Sequence, residues 1–204
     1  MVANLLTLSR IGFLSICVWL LYQPGAALKW IAFGLVILII LIDAIDGTVA
    51  RKRGEASKLG AVLDIAIDRV VENVFWIVLS HLQLVSVWGA LVVVMRGILT
   101  DAVRGFALAQ GLTPFAMMQT RLGQLLVSHR FMRAMSGLTK TVTFTGWIAF
   151  LALQEMWAAA PQAQYLPSLE LFLQVMTALA ILVNLARGVP VLVESRRFFE
   201  ESMA

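Results

Sequence analysis

The sequence predicts an all-α integral membrane protein with six transmembrane helices, built as a single domain over residues 1–204. Sixty per cent of its residues are hydrophobic, whereas soluble domains are about 45–50% apolar. Uninterrupted apolar stretches such as residues 30–41 and 70–79 favour helices that lie in a bilayer. The net charge of +4 is modest and is explained by cytoplasmic loops, so no nucleic-acid partner is predicted.

The helices follow from apolar runs and the residues that interrupt them. The predicted spans are, in order, residues 4–22, 28–50, 59–81, 87–110, 137–158 and 170–193. Gln23-Pro24-Gly25 ends the first span, and a proline at position 114 follows the fourth. Residues 115–136 mix apolar side chains with arginine and histidine, which favours an amphipathic segment at the membrane surface. Residues 161–167 are predicted to form a loop.

Lysine and arginine are distributed unevenly over this topology. Six spans place both chain ends on one side of the membrane, and that side receives every lysine and arginine except Lys29. Because cytoplasmic loops carry the excess of positive charge, this side is predicted to be the cytoplasmic one. The protein is therefore expected in the cell (inner) membrane as a multi-pass protein among membrane lipids.

Four aspartates lie at the cytoplasmic ends of spans two and three: Asp43, Asp46, Asp64 and Asp68. The spacings of three and four residues put the members of each pair on one helix face. The connection between the spans is short, so the helices are antiparallel neighbours and the four carboxylates converge. Converging charges in a membrane are costly, and Mg²⁺ or Mn²⁺ would stabilise them. A site for two divalent ions, facing the cytoplasm, is expected.

Small residues and an arginine accompany these carboxylates. Gly47 and Gly60 allow another group to approach the backbone closely, Ala50 continues the face of Asp43, and Arg51 offers a planar positive fork suited to phosphate. Carboxylates inside membranes also serve proton or cation pathways, so a small ion-coupled transporter is the alternative. The position near one surface, beside basic residues, favours a phosphate-bearing substrate.

The stretch from Asp43 to Asp68 resembles the signature of the CDP-alcohol phosphatidyltransferase family, D-x2-D-G-x2-A-R-x8-G-x3-D-x3-D. All eight fixed positions are matched, by Asp43, Asp46, Gly47, Ala50, Arg51, Gly60, Asp64 and Asp68. The resemblance implies an enzyme in which an acceptor hydroxyl attacks the lipid-bearing phosphate of CDP-diacylglycerol and CMP leaves, as a step of phospholipid biosynthesis. It also implies a homodimer.

The same resemblance implies roles for individual residues. Asp43, Asp46 and Asp64 would ligate metal, while Asp68 would complete the metal site and act as the general base. The CDP part of the lipid substrate would be held by Gly47, Ala50, Arg51 and Gly60.

Residues outside the signature resemble phosphatidylglycerophosphate synthases, which use glycerol 3-phosphate. The opening from Asn4 to Arg10 is similar to their N-x-L-T-x-x-R element, and Lys140 with the following threonine is similar to their K-T element. Arg96 and Arg104 are eight residues apart on the fourth span, so both can face one pocket. Arg96, Arg104 and Lys140 are therefore expected to bind the phosphate of a small phosphorylated alcohol.

Glycerol 3-phosphate is therefore the acceptor that we expect, giving phosphatidylglycerophosphate. Two departures from those synthases point to an alternative acceptor. The signature ends in Asp68-Arg69, as in members that use inositol phosphate, and Gly97 and Gly105 follow the two arginines where those synthases often carry glutamate. Inositol phosphate or another alcohol is therefore the alternative acceptor. Arg69 also has a structural interpretation, because Glu72 follows it at a spacing that allows a pair on one helix.

Overall fold

The computed structural model describes residues 2–53, 58–109 and 120–203. The side chains of these residues are described except at positions 2–6, 45–53, 58, 59, 61, 109, 122, 128 and 196–203. Within the described ranges the chain is helical and contains no strand, which confirms the predicted all-α class. The helices are α1 (Val2–Leu21), α2 (Ala26–Arg53), α3 (Lys58–His81), α4 (Val87–Ala109), α5 (Arg121–Gly123), α6 (Arg130–Met156) and α7 (Leu166–Met203).

The connections between the helices have clear local causes. The break between α1 and α2 contains Gly25 with φ 109°, a conformation that glycine adopts without steric cost. Between α3 and α4, Gln83 takes a φ of 60°, and the backbone N–H of Leu84 donates to the carbonyl oxygen of Leu79. Both breaks lie where the sequence predicts them, so the boundaries of the first four helices differ from the predicted ones by at most three residues.

The largest difference from the prediction in the second half of the chain is the start of α6. Residues 130–136 belong to α6 and continue without interruption into the predicted fifth span. No proline interrupts this stretch, so the helix extends through it despite the change from mixed to apolar composition. Of the predicted surface segment, α5 and a π-helical turn, Gln124–Ser128, precede α6, while residues 115–119 lie outside the described part of the chain.

Two smaller differences concern the end of the chain. The predicted loop at 161–167 contains a 3₁₀ turn, Pro161–Tyr165, with the proline at its start, where a missing N–H costs nothing. Helix α7 then runs from Leu166 to Met203, beyond both ends of the predicted sixth span.

The chain divides into two compact units, and the first contains Met1–Leu84 and Thr141–Gln174. Within it α1 packs against α2 and α3, and the buried Cys17 thiol donates to the carbonyl oxygen of Ala32 at 3.6 Å. The ring of Phe144 stacks on Phe75 with centroids 5.2 Å apart and meets Trp76 edge-on at 5.4 Å. Aromatic pairs of this kind stabilise a core beyond the area they bury.

The second unit contains Val85–Lys140 and Val175–Ala204. Ala107, Val127 and Val191 form a buried apolar cluster with Val103 packed against it. Thr120 precedes α5 and accepts a hydrogen bond from the backbone N–H of Gly123 at 3.0 Å, while its own hydroxyl donates to the Glu194 carboxylate. This capping arrangement connects the start of α5 to the last turns of α7.

Among the residues that the structure describes, two stretches are long and apolar enough to cross a membrane by length and composition, Ala26–Ala44 with 19 residues and Pro161–Ser195 with 35. Large apolar side chains are also exposed on several helices, and Trp88 is 75% exposed and Val62 62% exposed. Extensive apolar exposure is expected of a surface that does not face water. The six-span topology stays a prediction.

Candidate metal centre and its surroundings

Three of the predicted ligands come together in the first unit. Asp43 is on α2, and Asp64 and Asp68 are one turn apart on α3, so the i, i+4 spacing presents both on the same face. One carboxylate oxygen from each of the three lies within 4.8 Å of the others. The side chains are 42%, 42% and 48% exposed, respectively, so the cluster is open to solvent or substrate on one side.

The centre of this cluster is occupied by the guanidinium of Arg10 on α1. Its Nη1 lies 2.8 Å from Oδ1 of Asp43 and 3.5 Å from Oδ1 of Asp64. Its Nη2 donates to Oδ1 of Asp68 at 2.6 Å. The Arg10 side chain is only 3% exposed. One cation therefore connects α1 to the carboxylates of both α2 and α3.

The sequence analysis named Arg10 as the last residue of the N-x-L-T-x-x-R element and did not assign it to the site. A signal was present, because an arginine inside an otherwise apolar helix requires a partner. The nearby Thr7 is also buried, at 5% exposure, on the preceding turn of α1. Two buried polar residues on one helix, one turn apart, indicate the face that meets the carboxylates.

The remaining signature residues can be located to different extents. Asp46, Gly47, Ala50 and Arg51 belong to the continuous helix α2, as predicted, but their side chains lie outside the described residues. Gly60 is in the first turn of α3 and is half-buried. Their assignment to the metal and to the CDP part of the substrate stays a prediction.

Arg69 and Glu72 form a separate ion pair next to the cluster. Nη1 of Arg69 donates to Oε2 of Glu72 at 2.9 Å, with side-chain exposures of 23% and 12%. This is the structural pairing that the i, i+3 spacing predicts. It confirms that Arg69 has a partner within α3.

The residues predicted to bind the acceptor phosphate belong to the second unit. Arg96 and Arg104 lie on the uninterrupted helix α4 and are half-buried, and Lys140 on α6 is half-buried as well. The aliphatic part of Arg96 crosses α7 at Gly188, where an added Cβ would lie 2.7 Å from Cγ and 2.8 Å from Cδ of the arginine. The absence of a side chain at Gly188 therefore gives the Arg96 side chain its room.

The sequence analysis did not single out Arg187, a further arginine of this unit. Arg187, next to Gly188 on α7, is half-buried, and its Nε atom is shielded from solvent like those of Arg96 and Arg104. The available signal was a charged residue inside the predicted sixth span, where charge is costly without a function or a partner.

The three described carboxylates fit a hard divalent cation. Carboxylate oxygens are the donors that Mg²⁺ and Mn²⁺ prefer, and three of them already lie close enough to share an ion. Asp43, Asp64 and Asp68 carry −3 and Arg10 carries +1, so the described cluster has a formal charge of −2. One divalent ion neutralises that charge.

Residues 1–194 match the family described as CDP-alcohol phosphatidyltransferase. The chain is similar to the archaetidylinositol phosphate synthase of Aeropyrum pernix, with 42% identity over 57 residues, which are 28% of this chain and 27% of the relative. It is also similar to the phosphatidylinositol phosphate synthase of Corynebacterium glutamicum, with 40% identity over 84 residues, 38% of this chain and 37% of the relative.

A third relative is the phosphatidylinositol phosphate synthase of Mycobacterium marinum, with 28% identity over 95 residues, which are 44% of this chain and 38% of the relative. The chain thus spans between 27% and 38% of the length of these curated relatives.

Proposed function

Because the chain belongs to the CDP-alcohol phosphatidyltransferase family, we propose that it transfers a phosphatidyl group from CDP-diacylglycerol to the hydroxyl of a small phosphorylated alcohol, releasing CMP. The observation that carries this proposal is the convergence of Asp43, Asp64 and Asp68 at the family signature. The family match also favours an enzyme over the ion-coupled transporter.

In this reaction an oxygen–phosphorus bond forms between the acceptor hydroxyl and the lipid-bearing phosphate. The bond between that phosphate and CMP breaks, and CMP takes the electron pair of the broken bond. Asp68 accepts the hydroxyl proton, since a carboxylate on the open side of the cluster can reach a bound acceptor. Mg²⁺ or Mn²⁺, as two ions held by Asp43, Asp46, Asp64 and Asp68, would neutralise charge developing on the diphosphate.

The substrates determine where this chemistry takes place. The acyl chains of CDP-diacylglycerol stay in the bilayer while the nucleotide lies at the surface, so the carboxylates must lie at headgroup depth. The uneven distribution of lysine and arginine supports the cytoplasmic face of the cell membrane. Gly47, Ala50, Arg51 and Gly60 hold the CDP part, and the enzyme works as a homodimer.

Two acceptors have specific support. Inositol phosphate is favoured by the names of the three relatives and by the Asp68-Arg69 ending of the signature. Glycerol 3-phosphate is favoured by the N-terminal element that ends at Arg10 and by Lys140. Both acceptors carry a phosphate, for which Arg96, Arg104 and Lys140 provide positive charge. We take inositol phosphate as the first candidate and glycerol 3-phosphate as the second.

The test is CMP release by the purified full-length chain in detergent or nanodiscs. The assay contains CDP-diacylglycerol, Mn²⁺ or Mg²⁺, and one acceptor at a time: inositol phosphate, glycerol 3-phosphate, free inositol or serine. We expect metal-dependent CMP release with a phosphorylated acceptor. Absence of CMP with every acceptor would refute the enzyme, and turnover with glycerol 3-phosphate alone would reverse the order of the two candidates.

A further inference from the structure

Arg10 has a feature that the proposed reaction does not use. It is almost completely buried, at 3% exposure, whereas the three carboxylates around it are 42–48% exposed. A buried guanidinium is costly unless it is paired and hydrogen-bonded, and here it meets carboxylates from two different helices. The Arg10 guanidinium thus lies in the interior of the site, and the three carboxylates form the part of the site that is accessible from outside.

We propose that Arg10 is a built-in counter-cation of the Asp43, Asp64 and Asp68 cluster, which holds the carboxylates together without metal and weakens their affinity for divalent ions. The inference relies on the proposed function for the kind of ion that binds. The electrostatic reason is direct: Arg10 and the metal ion are both cations and are attracted to the same three carboxylates.

The first consequence concerns the cluster without metal. Three carboxylates whose oxygens lie within 4.8 Å of one another repel. Arg10 lowers the formal charge of the cluster from −3 to −2 by direct contacts. It therefore lets α2 and α3 keep the carboxylates close before an ion arrives, and it fastens α1 to both helices.

The second consequence concerns the affinity of the cluster for divalent ions. Whether this affinity rises or falls when Arg10 is replaced distinguishes a counter-cation from a residue that only positions the carboxylates. Loss of a residue that only orients metal ligands usually weakens metal binding by about 10–100-fold. Loss of a nearby positive charge strengthens it, because Coulomb repulsion between a divalent ion and a guanidinium about 5 Å away corresponds to roughly a tenfold effect in a water-like medium. A weakened affinity keeps the ion exchangeable.

The decisive experiment measures Mn²⁺ binding to metal-stripped full-length protein, without lipid substrate, by the EPR signal of free Mn²⁺ at low salt. We expect Arg10→Gln to bind Mn²⁺ roughly tenfold more tightly than the wild type. Arg10→Lys keeps the positive charge and should stay within about threefold of the wild type. The matched control is Arg69→Gln, which removes a charge from the neighbouring pair with Glu72 and leaves the Arg10 contacts in place.

A thermal melt of the same samples gives a second readout. Without metal, Arg10→Gln should melt below the wild type, and saturating Mn²⁺ should raise its Tm by more than it raises the wild-type Tm. Weaker or unchanged Mn²⁺ affinity in Arg10→Gln would overturn the proposal. If that variant does not fold, Arg10→Lys decides, because an affinity change of tenfold or more in either direction would also overturn it.

These measurements contain no turnover step. A wild-type protein that binds Mn²⁺ but releases no CMP would refute the proposed function and leave the role of Arg10 to be decided by the affinities. Normal CMP release together with unchanged Mn²⁺ affinity in Arg10→Gln would refute the counter-cation role alone.

Discussion

Replacing Gly188 by alanine tests whether Arg96 binds the acceptor phosphate, without touching a charged residue. Gly188 is buried on α7, and an added Cβ would lie 2.7–2.8 Å from two carbons of the Arg96 side chain. Real Cβ atoms essentially never approach so closely, so the arginine must leave its present path. The guanidinium at its end then moves away from any phosphate it binds.

The effects of Gly188→Ala on stability and on KM for the acceptor are estimated separately. Overpacking costs about 1–3 kcal/mol, and exchanging glycine for alanine inside a helix returns about 1 kcal/mol, so the net loss of stability is roughly 0–2 kcal/mol. A hydrogen bond to a charged group contributes about 1.5–3 kcal/mol, and about 1.4 kcal/mol is a factor of ten in binding. We therefore expect KM for the phosphorylated acceptor to rise about 10–100-fold in Gly188→Ala.

The assay is CMP release with the two substrates varied in turn. The expected result is a higher KM for the acceptor with KM for CDP-diacylglycerol unchanged. Gly137→Ala is the matched control, because it also adds a methyl group inside a helix of the same unit but meets nothing within 4 Å. Equal changes in both KM values would contradict the role of Arg96, as would additive losses in the double variant Arg96→Ala/Gly188→Ala.

Three other predictions concern the base, the second arginine and a distant ion pair. Asp68→Asn should abolish CMP release while binding of CDP-diacylglycerol, measured by equilibrium dialysis, persists; near-normal turnover would remove Asp68 as the base. Arg104→Ala should raise KM for a phosphorylated acceptor more than KM for the lipid, and the opposite pattern would exclude it from the acceptor site. Lys29→Met should destabilise the protein by about 1–3 kcal/mol, seen as a lower Tm, since it leaves the Glu155 carboxylate without its cation. Adding Glu155→Gln should recover part of that loss, and an unchanged Tm in Lys29→Met would show that the pair contributes nothing.

The helices and the carboxylate cluster were predictable because both rest on local patterns. Apolar runs and breakers such as Gly25 define where α1 to α4 begin and end. The i, i+4 spacing of Asp64 and Asp68 determines that they share a face whatever the helix packs against. The convergence with Asp43 then follows from the short connection between α2 and α3, as the structure confirms.

The contacts between distant parts of the chain were not predictable in the same way. Arg10 is 33 residues from Asp43 and 58 from Asp68, and no spacing rule relates α1 to the signature. The role of Gly188 was also not predictable, because a glycine is needed there only when α7 packs against the Arg96 side chain. The extension of α6 to Arg130 was missed for another reason: a change in composition was interpreted as a boundary, although helices end at breakers or caps.

Two of the long-range ion pairs described in the first unit each hold one end of α2. Arg10 holds Asp43 near the cytoplasmic end predicted for this helix, and Lys29 near its start pairs with Glu155 of α6. Asp43 follows Lys29 by fourteen positions, which at a rise of 1.5 Å per residue correspond to about 21 Å along the helix. Glu155 also accepts a hydrogen bond at 2.8 Å from the backbone N–H of Gly25, next to the start of α2.

A helix held at both ends cannot easily slide along its axis. A shift of one residue would move the Asp43 carboxylate by about 1.5 Å and turn it away from α3. We therefore expect the ion pair at Lys29 to help position Asp43 in the candidate metal centre through α2, without direct contact between the described groups.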